Sequence, residues 1–411
     1  MGLEPVIYPF LFIGIFFESF LLVTFLSKPA REHRRSMQNA ATPKVAIIVP
    51  CWNEEMTIAG TIESLLALDY PKENLSIILV NDGSTDATPS VVDRFSAHPQ
   101  ITALHKENGG KFTAMNLGIA HTGDAEIVGF LDADSLVAPD ALREIVAQFD
   151  DSKLAAVTAS MSIHQPRTML QRMQHAEYSL GIAFNHILAS INGLHVTPGP
   201  FSFYRRSLFP TIGLFRHAHL AEDMEMALRI QRAGMKIGNA LRARVYTKGP
   251  PTLKKLIKQR VRWITGFLRN ILFDYRDLLG TRHNSVIGTL TIPLAFVTIF
   301  GTLILFPLGI STLILNGIHA FSVIQAAPLS YVFSLHPFSW FYAPITATMV
   351  FSIVVTGSIL SWMIIGKTIS RTPGKLLPNI AVYLLLYGFV APLWLIRSVS
   401  DVARGIPTTW R

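Results

Sequence analysis

The sequence predicts a membrane protein in which an α/β domain with a mainly parallel sheet is joined to several transmembrane helices. Half of the chain is hydrophobic, 50% by residue count, and its mean hydropathy is +0.38. Residues 43–134 alternate short apolar runs with stretches of helical spacing, which is typical of parallel strands linked by crossover helices. Long apolar runs on both sides of the predicted domain supply the membrane part.

The N-terminal apolar run, residues 5–27, predicts a transmembrane anchor within residues 1–30. Its only charge is Glu18, and it is long enough to cross a hydrocarbon core of roughly 30 Å. A secretory signal peptide carries positive charge before its apolar run. Here the positive charge follows the run, at Lys28, Arg31, Arg34 and Arg35. The positive-inside rule therefore places the N-terminus outside and the next domain in the cytoplasm.

The predicted α/β domain spans residues 43–250. Strands are expected at 45–50, 75–82, 101–105 and 125–134, with helices between them at 56–68, after residue 85 and at 111–121. In such sheets ligands bind at the carboxyl ends of the strands. Asp82 and the pair Asp132 and Asp134 fall at these ends, so this edge is the predicted site.

The C-terminal part predicts an interface helix followed by membrane crossings. Residues 251–280 are basic and amphipathic, as in helices that lie in the membrane interface. Within a predicted membrane region of 285–398, the runs long enough to cross are 286–312, 339–365 and 376–396. The basic link 366–375 is expected in the cytoplasm, and 313–338, which has no Lys or Arg, outside.

Three crossings after the interface helix create a conflict with the positive-inside rule. They leave the C-terminal tail outside, although it carries Arg397, Arg404 and Arg411. Either the tail is an exception or one apolar run is re-entrant.

The amino-acid composition limits the compartment and the binding partners that the protein is expected to have. The chain has one cysteine, Cys51, which excludes an intrachain disulfide and fits a reducing compartment. The net charge of +9 is of the kind that membrane proteins carry in cytoplasmic juxtamembrane segments. No nucleic-acid motif accompanies this charge, so the expected partner is the lipid bilayer and not a nucleic acid.

Residues 130–135, FLDADS, predict a metal site. Positions two apart on a strand point the same way, so Asp132 and Asp134 can face one hard cation such as Mg²⁺ or Mn²⁺. Such a cation commonly bridges to substrate phosphates. The same pattern alone also fits a capped strand end with solvated acids.

Polar residues at the neighbouring strand ends predict a nucleotide-diphosphate site. Asp82 precedes a glycine and small turn residues, where a carboxylate can accept hydrogen bonds from a nucleoside. After Pro50 at the end of the first strand, Trp52 and Glu54 are placed to flank a base. Two glycines and Lys111 open a helix, an arrangement suited to anions. Each feature alone also fits an ordinary turn, helix start or surface lysine.

The region between the nucleotide half and the membrane half supplies a candidate base and acceptor contacts. Glu222 and Asp223 open a predicted helix, where acidic residues are favoured by the helix dipole, and a carboxylate here could act as general base toward an acceptor hydroxyl. Gln259 and Arg262 share one face of the interface helix, and the Trp263 indole could stack on a sugar. Arginine and tryptophan are also ordinary membrane anchors.

In this order, the motifs resemble those of membrane-integrated family 2 glycosyltransferases: cellulose, chitin, hyaluronan and poly-N-acetylglucosamine synthases. The motifs are Asp82, Asp132-x-Asp134, Glu222-Asp223 and Gln259-x-x-Arg262-Trp263. The resemblance implies a GT-A fold and inverting transfer from a UDP-sugar, with Mg²⁺ or Mn²⁺ as cofactor. It also implies that Asp82 and Asp132 bind the nucleotide diphosphate and that Asp223, beside Glu222, is the base. Gln259, Arg262 and Trp263 would hold the growing glycan and the diphosphate.

Some positions depart from that family pattern. Trp52 stands where tyrosine is common, and Ala221 where threonine usually precedes the acidic pair. Residues 197–206 look like the family's acceptor-site loop, with a different Gly-Pro composition. Residues 371–375 fit either a cytoplasmic gate or, more simply, a basic turn between helices.

The resemblance implies processive synthesis of a β-linked polysaccharide from UDP-N-acetylglucosamine or a similar UDP-hexose at the cytoplasmic membrane face, coupled to export. The alternative is transfer of one sugar to a lipid acceptor, because some glycolipid synthases share all four motifs. An inactive scaffold is disfavoured because every acidic position expected for chemistry is present. The modest number of crossings leaves room for a partner subunit in export.

Overall fold

The computed structural model describes residues 4–27, 42–280, 285–326 and 346–407. Several positive charges used in the sequence argument lie outside the described residues: Lys28, Arg31, Arg34, Arg35 and Arg411. The first residues of the run predicted at 339–365 lie outside them as well.

The α/β domain is built on one eight-stranded sheet with the order β3-β2-β1-β4-β7-β6-β8-β5. The strands are β1 Val45–Cys51, β2 Leu75–Asp82, β3 Ile101–Lys106, β4 Ile127–Phe130, β5 Ser135–Val137, β6 Leu154–Ile163, β7 Ser202–Arg205 and β8 Lys236–Thr247. The first four strands are mutually parallel in the order β3-β2-β1-β4, as predicted from the sequence. β7 then pairs antiparallel with both β4 and β6.

Twelve α-helices accompany the sheet in the described part of the chain. They are α1 Glu4–Ser27, α2 Ile58–Leu66, α3 Thr88–Phe95, α4 Lys111–Ala120, α5 Ala141–Val146, α6 Met169–Ser190, α7 Leu208–Ile212, α8 Glu222–Arg232, α9 Leu253–Arg269, α10 Ile292–Ala326, α11 Ala347–Ser370 and α12 Leu377–Ala403.

The sheet is covered on both faces, which explains why β1 is a continuous apolar run. Ile47 and Val49 pack into one buried cluster, and Ala46 and Ile48 into the cluster on the other face. A strand covered on both faces requires apolar residues at successive positions. On the second face α4 packs so closely that a Cβ at Gly118 would lie 2.4 Å from Ile48.

Four described helices are long and apolar enough to cross a membrane: α1, α11, α12, and α10 with the turn that precedes it. The last of these spans Ile287–Ala326, 40 residues, about 60 Å of helix. It therefore continues beyond residue 312, where the predicted crossing ended.

α12 packs with one face against α6 and α9. Near its start, the Asn379 Nδ2 lies 3.1 Å from His175 Nδ1 on α6. Further along, the Arg260 guanidinium of α9 lies 5.8 Å from the Trp394 ring centroid. Beyond its end, the carbonyl of Ile406 accepts a hydrogen bond from Arg269 of α9. Both ends of α12 thus contact helices that pack on the domain.

Candidate active site

Asp82 organises the loop that begins α4. Its carboxylate accepts hydrogen bonds from the Lys106 Nζ at 2.6 Å, the Gly109 N–H at 3.0 Å and the Gly110 N–H at 2.9 Å, and its side chain is 4% exposed. Gly83 beside it has φ +66°, and a Cβ there would lie 2.5 Å from the Asn108 nitrogen. Both carboxylate oxygens therefore already have protein partners, and Asp82 fixes the glycine loop at the strand end.

The loop after β1 is joined to the loop after β2. Pro50 pairs with Val80 within the parallel sheet, and the half-buried Trp52 follows directly after the strand. The Asn53 Oδ1 accepts a hydrogen bond from the Thr85 N–H at 2.8 Å. The two loops therefore form one side of the site at the carboxyl edge of the sheet.

Asp132 and Asp134 lie in the turn between β4 and β5, and not on a strand. The strand predicted at 125–134 was too long at both ends. The alternation of side chains along a strand therefore does not explain how Asp132 and Asp134 are oriented. The turn nevertheless brings the carboxylates together: burial raises the pKa of Asp134 to about 6, with further contributions from Asp132 and Glu54. Burial likewise raises the pKa of Glu54.

Lys111 is the cation nearest to this acidic cluster. Its Nζ lies 2.5 Å from the Asp132 Oδ1. Burial lowers the pKa of Lys111, but Asp132, Glu222 and Asp223 outweigh that effect and hold it above its ordinary value. A Cβ at Gly199 would lie 2.8 Å from the Lys111 Nζ and 3.0 Å from both Asp132 carboxylate oxygens, so the Gly199 backbone lies directly beside this ion pair.

The two carboxylates fit a divalent cation. Asp134 has a pKa raised by burial and by neighbouring acids, and a bound cation relieves both effects. Within the described ranges no group of three or more His, Cys, Asp or Glu side chains is arranged to hold a metal. The protein ligands would then be Asp132 and Asp134, with the remaining positions left to diphosphate oxygens and water, as hard cations prefer.

Glu222 and Asp223 open α8, as predicted, but they occupy different environments. Glu222 is 5% exposed, and burial raises its pKa while Lys111 and Arg262 oppose the change. Asp223 is half-buried, and its Oδ2 accepts a hydrogen bond from the Gly199 N–H at 3.3 Å. Asp223 therefore keeps a carboxylate at the surface of the cleft, only one residue from the buried Glu222.

Residues 197–199, at the start of the segment 197–206 that is expected to form an acceptor-site loop, contact the backbone and the side chain of Asp223. The Thr197 Oγ1 donates to the Asp223 carbonyl at 2.7 Å and accepts from the Tyr204 hydroxyl at 2.8 Å. The loop thus connects the start of α8 to β7 and determines where the Asp223 carboxylate points.

A left-handed turn precedes the acidic pair. Ala218, His219 and Leu220 have φ values of 45°, 54° and 63°, a conformation that costs roughly 1–2 kcal/mol per residue for L-amino acids. α9 and the chain after it hold the turn in place. The Asn270 side chain donates to the Ala218 carbonyl at 3.3 Å, and the Arg262 Nη1 to the Leu220 carbonyl at 3.4 Å.

The motif residues of α9 lie beside these carboxylates. Arg262 is close enough to lower the pKa of Glu222, and Trp263 is half-buried. The Gln259 Oε1 is buried and has no hydrogen-bond partner among the residues that the structure describes. A buried carbonyl oxygen without a donor is costly, so a ligand hydroxyl would suit this position.

Sequence reasoning missed Glu177 and Arg260. Glu177 lies on α6 and Arg260 on α9, and their side chains form an ion pair at 2.7 Å. The two residues are far apart in sequence, so no local pattern signals the pair. The only signal for Arg260 was its place inside the Gln-x-x-Arg-Trp segment.

These groups together suit the transfer of a group from a diphosphate donor. Two carboxylates and Lys111 surround a position for phosphate and cation, the half-buried Asp223 carboxylate can accept a proton, and Arg262 supplies positive charge. Gln259 and Trp263 lie on the same helix as Arg262.

Comparison with known sequences agrees with this chemistry. Residues 43–266 match a family described as glycosyltransferase-like family 2. A poly-β-1,6-N-acetyl-D-glucosamine synthase from Staphylococcus epidermidis is 28% identical over 310 residues, 74% of this chain and 72% of the relative. The synthase of the same name from Staphylococcus aureus (strain COL) is 30% identical over 242 residues. That match covers 58% of each chain.

Comparison with solved structures extends the likeness to the membrane part. A mannosyltransferase from Pyrobaculum calidifontis, solved in complex with GDP-Man and Mn²⁺, superimposes with a TM-score of 0.55 at 19% identity. The match covers 97% of this chain and 99% of that one. The two chains therefore share the whole fold, including the helices that follow the α/β domain.

Proposed function

The chain belongs to glycosyltransferase-like family 2, and from this premise we propose that it transfers a hexose or N-acetylhexosamine from a UDP-sugar, with inversion, to a growing β-linked polysaccharide. Membership confirms the resemblance and the GT-A fold class predicted from the sequence. The observation that carries the proposal is that the carboxylate pair, the candidate base and the Gln-x-x-Arg-Trp helix converge on one cleft. The names of the relatives make UDP-N-acetylglucosamine the first donor to test.

Different residues bind the donor and activate the acceptor. Trp52, Glu54 and the loop fixed by Asp82 bind the nucleotide, and Lys111 binds the diphosphate. Asp223 removes the proton from the acceptor hydroxyl as that oxygen attacks the anomeric carbon. Arg262 provides positive charge beside the departing diphosphate.

Asp132 and Asp134 would hold Mg²⁺ or Mn²⁺. When bound, such a cation neutralises charge on the leaving diphosphate. The raised pKa of Asp134, caused by burial, supports this assignment because a nearby cation stabilises the ionised carboxylate.

Transfer of one sugar to a lipid is the second candidate function, and the exposure of the membrane helices supports it. Leu21 is the only residue of α1 among the buried hydrophobic residues, and α10 contributes only Ile292 and Ile299 to that group in the described part of the chain. Apolar side chains exposed in this way would face mainly lipid, where a lipid acceptor lies. A processive enzyme of this design would act with a second copy or an export subunit.

We place the catalytic domain in the cytoplasm and assign α12 to the membrane interface. α1, α10 and α11 would then be the crossings. Both ends of α12 contact helices that pack on the catalytic domain, at His175 and Arg269. This arrangement keeps the basic tail on the cytoplasmic side and removes the conflict with the positive-inside rule.

The proposal is tested by incubating purified protein in nanodiscs with radiolabelled UDP-sugars and Mg²⁺ or Mn²⁺, with and without added lipid. Asp223→Asn protein serves as the negative control. Label in a high-molecular-weight glycan would support a polysaccharide synthase, and label in a lipid-sized product would support the second candidate. Absence of transfer from every UDP-sugar would contradict both.

A further inference from the structure

A buried ion pair lies below the catalytic cleft. The Arg260 Nη2 lies 2.7 Å from the Glu177 Oε2, with side-chain exposures of 10% and 17%. Burial raises the pKa of Glu177, and Arg260 opposes the change. Two charges that leave water pay a desolvation penalty that the pairing often does not repay, so stability alone is a weak reason for their presence.

The guanidinium of Arg260 is surrounded by aromatic rings from three helices. Its Cζ lies 4.6 Å from the ring centroid of Trp263, 5.8 Å from that of Trp394 on α12 and 5.9 Å from that of Tyr178 on α6. A cation over an indole face at this distance is favourable, and more so when it is shielded from water. Trp263 is the closest of these rings, and it belongs to the motif that faces the acceptor.

The cluster lies on the same helix as the Gln-x-x-Arg-Trp motif, through Arg260 and Trp263. Arg260 and Trp263 are three residues apart and share a helix face. Arg262 lies on a different face, near the carbonyl of Leu220.

We infer that Glu177 and Arg260 are positioning residues that hold the Trp263 indole in place to bind the acceptor sugar. Glu177 fixes the guanidinium at one edge, and the guanidinium face fixes the indole. Neither residue is assigned a contact with the reacting atoms. This inference rests on the proposed transferase function, since it concerns the acceptor side of the same cleft.

The test compares Arg260→Met, Arg260→Lys and Glu177→Gln with a matched control, Lys258→Met, which removes an exposed positive charge from the same helix. Three quantities are measured: transfer to short β-linked N-acetylglucosamine oligosaccharides, hydrolysis of the UDP-sugar without acceptor, and affinity for UDP. We expect Arg260→Met to raise the acceptor KM at least tenfold and to leave donor hydrolysis and UDP affinity within twofold of wild type. Arg260→Lys keeps the ion pair but loses the planar face, so its acceptor KM should lie in between.

Two results would overturn the inference. One is an equal loss of transfer, hydrolysis and UDP affinity in Arg260→Met and Glu177→Gln, which would show a general structural role. The other is unchanged transfer in both variants. Binding of the same oligosaccharides without donor, followed by tryptophan fluorescence, separates this inference from the proposed function. Weaker binding in Arg260→Met supports the positioning role even if no UDP-sugar is transferred, and equal binding refutes it.

Discussion

At the scale of single residues, Glu222 and Asp223 are adjacent in sequence but lie in different environments. Glu222 is buried against Lys111 and Arg262, whereas Asp223 reaches the cleft and its backbone is held by Thr197. A base must keep a lone pair accessible to the acceptor hydroxyl. Asp223, the less buried member of the pair, is therefore the residue that we propose as the base, and the buried Glu222 contributes negative charge beside Lys111.

Asp223→Asn should lower kcat by about 10²–10⁴-fold, the usual contribution of a general base. Affinity for UDP should stay within twofold, because the substitution changes neither the glycine loop nor the carboxylate pair. Steady-state transfer assays and calorimetric UDP titration measure the two effects. Glu63→Gln, on the exposed face of α2, is the control. Transfer by Asp223→Asn at the wild-type rate would show that the base is another group.

His195 gives a pH-dependent prediction. Burial lowers the pKa of His195 from 6.5 to about 4. Between these pH values the ring is neutral in the folded protein and protonated in the unfolded chain. The stability contributed by the neutral ring is complete above pH 6.5 and is lost as pH falls from 6.5 towards 4. His195→Phe, which can keep the edge-on contact with Phe267, should flatten this acid decrease in melting temperature.

The measurement is the apparent melting temperature between pH 4 and pH 8. The exposed His121 offers a matched control as His121→Phe, which should follow the wild-type curve. Parallel curves for wild type and His195→Phe would contradict the assignment.

The sequence predicted which elements carry the candidate site residues, but not how these residues are arranged. Asp82, the carboxylate pair, the acidic start of α8 and the Gln-x-x-Arg-Trp helix all lie around one cleft, because strand ends and helix starts are visible in local patterns. Asp82 is engaged by Lys106 and the glycine loop, which no spacing reveals. The ion pair between Glu177 and Arg260 depends on how α6 crosses α9, and such tertiary packing cannot be predicted from local sequence patterns.

At the scale of elements, α9 couples the Gln-x-x-Arg-Trp motif to the acidic start of α8. The helix carries Gln259, Arg262 and Trp263, and its C-terminal half packs on the left-handed turn before α8. The helix itself was predictable from its amphipathic pattern. The left-handed turn was not, because Ala218 and Leu220 are not types that favour positive φ. Hydrogen bonds from Arg262 on α9 and from Asn270 just after it hold that conformation.

Gly266 is where α9 touches this turn most closely. A Cβ there would lie 2.6 Å from the Cβ of Ala221, so Gly266→Ala should displace the start of α8 and lower transfer at least tenfold. The same contact should destabilise the protein by on the order of 1–3 kcal/mol, as overpacked sites do.

Gly181→Ala on α6 is the matched control for this change. A Cβ at Gly181 meets nothing within 4 Å, so alanine should keep full activity and add about 0.5–1 kcal/mol of helix stability. The measurements that test this prediction are the transfer rates and the melting temperatures of both variants. Wild-type transfer by Gly266→Ala would show that α9 does not set the position of the acids.

At the scale of the whole molecule, the long apolar helices differ in how much of their length is buried. α1 and α11 are joined to each other: Glu18 accepts hydrogen bonds from the Ser358 hydroxyl and the Trp362 Nε1, both at 2.6 Å. A carboxylate inside a membrane span needs such partners. Only the C-terminal part of α11 is buried, from Trp362 to Ser370, whereas α12 has buried residues from Asn379 to Ser398 along most of its length. Hydropathy alone ranks all of these helices as crossings, because it measures composition and not contacts.

The interface assignment of α12 predicts which side of the membrane its end occupies. The only cysteine, Cys51, is 2% exposed, so single cysteines can be introduced with little background and probed with a membrane-impermeant maleimide. Ser322→Cys near the end of α10 should be labelled on intact cells. Arg404→Cys after α12 and Ala97→Cys, exposed on the catalytic domain, should be labelled only after permeabilisation. If Arg404→Cys reacts on intact cells while Ala97→Cys does not, α12 crosses the membrane and its contacts with His175 and Arg269 cannot both form.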